Sequence, residues 1–352
     1  MSPEPLVLVE RRDDVRPRPA EHETVLRVDD LHIGVPVHGG GRAEAVRGVS
    51  FDIRRGEAVG LVGESGSGKT LTCRAVLGVL PDGVAITGGG IAFGERRLDR
   101  LSRREWEDVR GKRIGAVFQD PTSFLNPSLT VGSQLAEVLR VKGGLERADA
   151  RRRAVDLLEA MGIHHPEHVY GQVPAQLSGG MLQRVMIAIA VSCDPELVVA
   201  DEATTALDVT TEREVIDLLR ALRRRIGISV LMVSHDLAVV AELCDRIVVF
   251  YAGEIVEAGP VEQIVSAPRH PYTRALLRVA SLGDGDHRRL DVIPGQPPPV
   301  GTQLPGCRFA ARCEHATEAC TATPVALRPF DRDRAVRCAR AEELARSEEW
   351  VA

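Results

Sequence analysis

Two features of the 352-residue sequence predict an α/β fold built on a mostly parallel sheet. Short, almost wholly apolar runs at 58–62, 114–118, 197–200, 229–233 and 247–251 alternate with longer stretches of helical spacing, and strands that are apolar on both faces need cover on both faces. The first of these runs leads straight into a glycine-rich turn and then a helical pattern, the strand–loop–helix unit of doubly wound sheets. The length exceeds one typical domain and leaves room for a large core with a smaller appendage.

Taken in order, residues 1–23 are rich in Pro, Arg and acidic residues and lack the apolar centre of a secretion signal, so a disordered segment and a cytoplasmic protein are expected. Residues 25–33 and 46–53 read as strands of an antiparallel ribbon, with Gly39, Gly40 and Gly41 as the turn. A helix is predicted over 70–80, ending at Pro81-Asp82-Gly83. The strand at 114–118 ends on Gln119. From about 120 to 190 the pattern is helical, with 147–161 amphipathic and 162–177 a loop, and it reads as a helical subdomain inserted into the sheet. Alternation then returns with helices over 211–225 and 237–243, and the sheet domain closes near 268. Beyond it, prolines and glycines between 294 and 306 and a crowd of cysteines mark a second, small domain at 269–345. A net charge of -5 gives no global basic field for nucleic acid, and the arginines of 147–153 read as a solvated helix face. No apolar run approaches the ~18 to 20 residues of a membrane span.

The turn is a complete phosphate loop: Gly63, Glu64, Ser65, Gly66, Ser67, Gly68, Lys69, Thr70. Its glycines let successive N–H groups point at phosphates beside the positive end of the following helix, Lys69 reaches the terminal phosphates and Thr70 offers a hydroxyl to magnesium. Asp201 ends the apolar run 197–200, where a carboxylate can hold the same ion through water. Glu202 beside it is the candidate general base for an attacking water, although adjacent Asp-Glu can also be a solvated pair. Gln119 and His235 both follow strands, at the sheet edge where ligands bind in open α/β folds. Ser178, Gly179 and Gly180 open a helix, with Ser178 as N-cap and glycine amides exposed at its positive end.

In this order these motifs resemble the ATP-binding cassette (ABC) family over about 25–265. The resemblance implies ATP with Mg²⁺ as cofactors and an ATPase working as a sandwich of two subunits. Magnesium would be held by Thr70, Gln119 and Asp201, with Gln119 also linking the core to the helical subdomain. His235 would be the switch histidine that contacts the terminal phosphate and holds Glu202. Ser178, Gly179 and Gly180 would bind the ATP of the opposite subunit, with Asp208, in Ala206-Leu207-Asp208, communicating across the interface. Met181 stands where the family usually has Gln. The family usually stacks adenine on an aromatic residue of the first ribbon; Val35 and its neighbours His32 and His38 supply none, so base recognition is expected to be weak or to rest on apolar contact.

The tail, from His270-Pro271-Tyr272-Thr273 through Ile293-Pro294-Gly295 to Cys338, resembles the C-terminal extension of dipeptide and oligopeptide permease ATPase subunits. That implies an importer ATPase at the cytoplasmic face of the cell membrane. Its partners would be two transmembrane permease subunits, a second ATPase subunit in a homo- or heterodimer and, indirectly, an extracytoplasmic solute-binding protein. No nucleic acid is expected. Peptides are the expected cargo, with nickel or another small solute as the alternative; a soluble non-transport ATPase acting on nucleic acid, or a metal-sensing regulator, is the rival. Cys307, Cys313, Cys320 and Cys338 carry three readings. Four thiolates suffice for zinc or for an iron-sulfur cluster, the spacing lacks the Cys-x-x-Cys knuckle of zinc ribbons, and reduced packing cysteines need no metal. The family resemblance implies a [4Fe-4S] cluster.

Overall fold

The structure is a computed structural model and describes residues 23–37, 39–203, 208–281 and 293–347. In chain order it runs through strands β1 (Thr24–Pro36), β2 (Arg42–Arg54) and β3 (Ala58–Val62), helix α1 (Lys69–Leu77), β4 (Ala85–Phe93), β5 (Arg96–Arg97), α2 (Arg103–Val109) and β6 (Ile114–Phe118). Helices α3 (Pro121–Phe124), α4 (Val131–Val141), α5 (Arg147–Ala160), α6 (Pro166–Tyr170) and α7 (Gly179–Val191) follow, then β7 (Leu197–Asp201), α8 (Val209–Ile226), β8 (Ser229–Val233), α9 (Leu237–Leu243), β9 (Arg246–Tyr251) and β10 (Glu254–Pro260). The tail adds α10 (Val261–Ser266), α11 (Pro271–Ser281), α12 (Glu318–Ala322), β11 (Arg328–Asp331), β12 (Arg334–Val336) and α13 (Ala341–Arg346). Two compact units form, and the chain passes between them several times.

The first unit comprises the described parts of 23–25, 54–56 and 101–230. Parallel β6 and β7 pair from Ile114↔Leu197 to Phe118↔Asp201. Every residue of β7 is buried, the apolar Leu197 to Ala200 as their composition requires and Asp201 with them. Helices α4, α5, α6 and α7 pack on one another, which bears out the helical stretch. The predicted loop at 162–177 instead contains α6. Pro166 opens that short helix, and the Tyr170 ring packs over Gly132 so closely that a Cβ there would lie 2.1 Å from the ring. A single tyrosine in a polar stretch gives no periodicity, so the pattern missed it. The expected disordered segment 1–23 lies, except for Glu23, outside the described residues; Glu23 pairs with Arg55 at 3.0 Å. Glu196 is clasped from two sides, by Arg113 at 2.7 Å and Arg55 at 3.2 Å.

The second unit comprises the described parts of 26–53, 57–100 and 231–352. Its antiparallel sheet has the order β2-β1-β4-β5, so the predicted ribbon is present with both strands longer than expected. Strand β4 (Ala85–Phe93) was not legible because three of its nine residues are consecutive glycines. They are needed there: β1 bulges between Asp29 and His32, and a Cβ on Gly89 would sit 2.0 Å from the Asp30 carbonyl oxygen. Helix α1 stops at Gly78, whose φ of 64° caps it, rather than at Pro81. In the other sheet of this unit β3 runs parallel to β9, β9 pairs antiparallel with β10, β10 with β12, and β12 with β11. The tail, expected as a second, small domain, contributes strands that continue the sheet that carries β3, with Glu257↔Val336 and Ala258↔Ala335 as the joint. Among the described residues no helix is long and apolar enough to cross a membrane.

Candidate functional site

The fully buried strand β3 delivers the chain to Gly63, whose φ of 146° and close approach to β9 exclude a side chain: a Cβ would lie 2.2 Å from the Phe250 carbonyl oxygen. Gly66 and Gly68 also have positive φ, 76° and 106°, and Gly68 serves as N-cap of α1. The loop is buttressed from below, since Gly253 N–H donates to the Ser67 carbonyl at 3.0 Å and Arg47 N–H to the Gly253 carbonyl at 2.9 Å. Lys69, only 4% exposed, folds back so that Nζ donates to the carbonyls of Gly63 (2.6 Å) and Glu64 (2.9 Å) and to Ser67 Oγ (3.4 Å). A buried ammonium is held by the loop's own carbonyls, and no acidic side chain stands in the first turn of α1. The start of α1 therefore combines a lysine with a positive helix end, the charge pattern that suits a phosphate group.

Ser65 is exposed and Thr70 half-buried at the rim. Exposed His235 follows β8 in the same unit. The residue before it, Ser234, donates its N–H to the Leu61 carbonyl at 3.2 Å, which ties the His235 segment to the strand that feeds the loop. His32, a candidate neighbour of the base, is held between carboxylates, with Glu44 at 2.5 Å and Asp30 at 3.3 Å. Val35 is half-buried, and His38 lies outside the described residues.

The first unit holds the other candidates in two groups. The Phe118↔Asp201 register puts Gln119, Asp201 and Glu202 at the carboxyl ends of adjacent parallel strands. Asp201 is 7% exposed; Glu202 is half-buried with φ at 52°, a left-handed backbone that costs a non-glycine residue about 1–2 kcal/mol. Gln119 is exposed, and Asp120 directly after it caps α3 by accepting from Thr122 N–H at 3.0 Å.

The second group is a pair of helix N-termini. Ser178 Oγ accepts from Met181 N–H at 3.4 Å to cap α7, with Gly179 exposed beside it and no acidic residue in the first turn. Asp208 caps α8, accepting from Thr211 N–H at 3.0 Å and Thr211 Oγ1 at 2.7 Å. Those bonds hold its carboxyl below the ordinary carboxylate range. Thr211 is also the floor under Gly180, where a Cβ would come within 2.7 Å of its methyl, and Arg184 joins Glu214 at 2.8 Å a turn further along. Thus the Ser178 motif and Asp208, separate in sequence, share one corner. Ala206 and Leu207 lie outside the described residues.

Sequence reasoning missed what holds Glu64. Its N–H donates to Tyr272 Oη at 2.8 Å, and Arg312 grips its carboxylate with two bonds of 2.7 and 2.9 Å. No local signal announces pairs 208 and 248 residues apart.

The four late cysteines line one cavity, together with His270, Phe309 and His315. Burial, reinforced by the neighbouring thiols, pushes Cys338 up to about 12 and raises Cys307 and Cys313. Among the described residues no group of three or more His, Cys, Asp or Glu side chains is placed to hold a metal ion, so the zinc alternative finds no site and a cluster no preformed ligand set. Four thiols lining one hollow have the donor chemistry of an iron or zinc site, but they are not brought together as ligands. His270 is fully buried; its Nδ1 accepts from Tyr272 N–H at 3.1 Å, and burial drops its pKa to about 3, leaving it neutral.

A family model described as ABC transporter matches residues 46–205, and one described as oligopeptide/dipeptide transporter, C-terminal region, matches 256–320. The dipeptide transport ATP-binding protein DppD of Bacillus subtilis is 43% identical over 299 residues, covering 85% of this chain and 89% of that protein. The oligopeptide transport ATP-binding protein OppD of the same organism is 44% identical over 294 residues, covering 83% and 82%. DppD of Escherichia coli is 41% identical over 317 residues, covering 89% and 96%. Among solved structures, the dimeric post-hydrolysis state of an ATP-binding cassette bound to ADP and Pi superposes with a TM-score of 0.60 at 28% identity, covering 67% of this chain and 98% of that one.

Proposed function

Because the chain belongs to the ABC transporter family, with relatives throughout the dipeptide and oligopeptide transport ATP-binding proteins, we propose that it is the ATP-hydrolysing subunit of a membrane importer of di- or oligopeptides. The observation that carries the reading is the presence of two anion-seeking helix starts of different build. The start of α1 has a lysine and a closed glycine loop, enough to grip a triphosphate by itself. The start of α7 has a serine cap and glycines, with no basic residue in its own first turn. Such a surface completes a site rather than making one, and the site it completes is that of a second ATPase subunit facing it. Whether that second subunit is a copy of this chain or a related one, Ser178, Gly179 and Gly180 address its ATP, and Asp208 braces them through Thr211.

ATP would lie with its phosphates along residues 63–70. Thr70, Asp201 and Gln119 would hold Mg²⁺, which supplies positive charge to the β- and γ-phosphates. Glu202 accepts the proton of the attacking water as its oxygen approaches the γ-phosphorus in line with the departing ADP, and His235 holds the γ-phosphate against that base. The left-handed backbone at Glu202 supports this role, since strained backbone of this kind clusters at functional sites.

The partners follow from the transporter reading: two permease subunits, the second ATPase subunit and, through the permeases, an extracytoplasmic solute-binding protein. The chain would sit on the cytoplasmic face of the membrane, with 24–268 as the ATPase domain and 269–345 as the extension that docks on it. No candidate residue has a role toward cargo, so a transporter for nickel or another small solute would use the same ATPase. At the cysteine cavity we place a [4Fe-4S] cluster ahead of zinc, because the family resemblance of the tail implies it and all four cysteines line the one hollow. Protein purified without oxygen should then be brown and contain iron and acid-labile sulfide, whereas stoichiometric zinc would select the alternative.

Co-expression with its permease subunits tests the function. The chain should co-purify with them and support peptide uptake, and Lys69→Ala should lose ATP binding and uptake while still assembling. Failure to associate with any membrane subunit would refute the transport role.

A further inference from the structure

We propose that Tyr272 and Arg312 are positioning residues for ATP hydrolysis, a clamp that holds Glu64 of the phosphate loop and ties the loop's shape to the wall of the cysteine-lined cavity. The proposal rests on residues 63–70 being the ATP site.

Arg312 uses every donor it has. Nε donates to the Pro294 carbonyl (2.8 Å), Nη1 to Glu64 (2.7 Å) and Tyr251 Oη (3.3 Å), and Nη2 to Glu64 (2.9 Å) and the Ile293 carbonyl (2.9 Å). Its side chain is only 4% exposed. Burying an ion pair adds little net stability compared with apolar packing, so a five-bond charged anchor is better explained by the geometry it imposes. Tyr272 holds the other end of the same residue. It is fully buried, its ring packs against Tyr251 (centroids 4.6 Å apart) and Phe309 (5.3 Å), and its Oη takes the Glu64 N–H. Backbone and side chain of Glu64 are thereby fixed from the tail. The Glu64 carbonyl in turn receives the Lys69 ammonium at 2.9 Å, so a shift of Glu64 moves a group that positions the phosphate-binding lysine.

Both arms are rooted on the cavity. Arg312 immediately precedes Cys313, and Tyr272 leans on Phe309 and donates its backbone N–H to His270, and Cys313, Phe309 and His270 all line it. A wall that moves therefore moves Glu64. Neither arm has a part in the chemistry itself, which is why they position and do not catalyse.

The test uses the full chain assembled with its partner subunits. Tyr272→Phe removes one oxygen and keeps the ring, leaving the Glu64 N–H without its acceptor. Arg312→Lys keeps the charge and loses the fork. Each should raise the KM for ATP and lower kcat, with kcat/KM down about tenfold for Arg312→Lys and about threefold for Tyr272→Phe. In Tyr272→Phe, amide hydrogen exchange should accelerate in the peptide spanning 59–70 and stay unchanged at 179–191, which a general loss of packing would not do. Cys313→Ser should slow ATP turnover in the wild-type background and add nothing in Arg312→Lys. An equal Cys313→Ser effect in both backgrounds, or none in either, overturns the link to the cavity. Kinetics within twofold of wild type and unchanged exchange at 59–70 in both clamp variants overturn the clamp. If Lys69→Ala also leaves ATP binding intact, it is the assignment of the ATP site that fails.

Discussion

Gly180→Ala should damage the chain through one methyl contact, and Thr211→Ser should repair it. A Cβ on Gly180 would lie 2.7 Å from Thr211 Cγ2, against ~3.5–4.0 Å for a relaxed carbon pair. About 1 Å must be found. Thr211 cannot supply it by turning, because its hydroxyl is bonded to Asp208 Oδ2 at 2.7 Å and a β-branched side chain has few rotamers. Overpacking of this kind costs about 1–3 kcal/mol, while replacing glycine by alanine in a helix returns up to about 1 kcal/mol. The single variant should therefore lose about 1 kcal/mol. In a Thr211→Ser background the methyl is gone and the Asp208 bond kept, so the same substitution should gain up to about 1 kcal/mol. Denaturant unfolding of the nucleotide-free chain in a double-mutant cycle measures the coupling. ATP turnover of the assembled transporter should follow the same pattern, since the corner under test presents the glycine amides. Additive stabilities would refute the claim that the Ser178 helix and the Asp208 cap are braced against each other by Thr211.

Burial alone would raise the Glu196 carboxyl, but Arg113 and Arg55 outweigh it and hold it below the ordinary 4.5. Its folded pKa lies under its unfolded one, so the stabilisation is complete above about 4.5 and is lost as the pH falls through the depressed value. The Tm difference between wild type and Glu196→Gln should accordingly be constant from pH 6 to 8 and shrink below about 4.5; a difference that persists in acid would contradict the assignment. Glu137 and Arg140 are exposed on one side of α4 in the helical region that follows Gln119. Reversing both charges should uncouple uptake from ATP hydrolysis while basal hydrolysis stays, and uptake still proportional to hydrolysis would remove this surface from the permease contact.

What could be read from the sequence was whatever a short window contains. The phosphate loop is legible because strand, glycines, lysine and helix are contiguous, and β3, β6, β7, β8 and β9 because strands buried on both faces are mostly apolar. Helix α7 is legible from its cap and α8 from its period. The rest depends on partners that no window holds. The glycines of β4 answer a bulge in β1, Tyr170 fills the space over Gly132, and Thr211 sits under Gly180. The tail looked separate because proline and glycine hide periodicity, yet Arg334–Val336 completes a sheet edge begun by Glu254–Pro260. Arg312 would pass for one more surface arginine if its five acceptors were not in view.

The central claim is that this chain hydrolyses ATP with Glu202 as base, in a site closed by a second ATPase subunit. The most direct measurement is light scattering of Glu202→Gln with MgATP, alone and mixed with the other ATPase subunit of its transporter if there is one, alongside a turnover assay. The account predicts that turnover falls by about 10²–10⁴-fold, that ATP still binds, and that an ATPase dimer accumulates with ATP and disperses with ADP. Turnover near the wild-type rate, or ATP binding without association of two ATPase subunits, would contradict it.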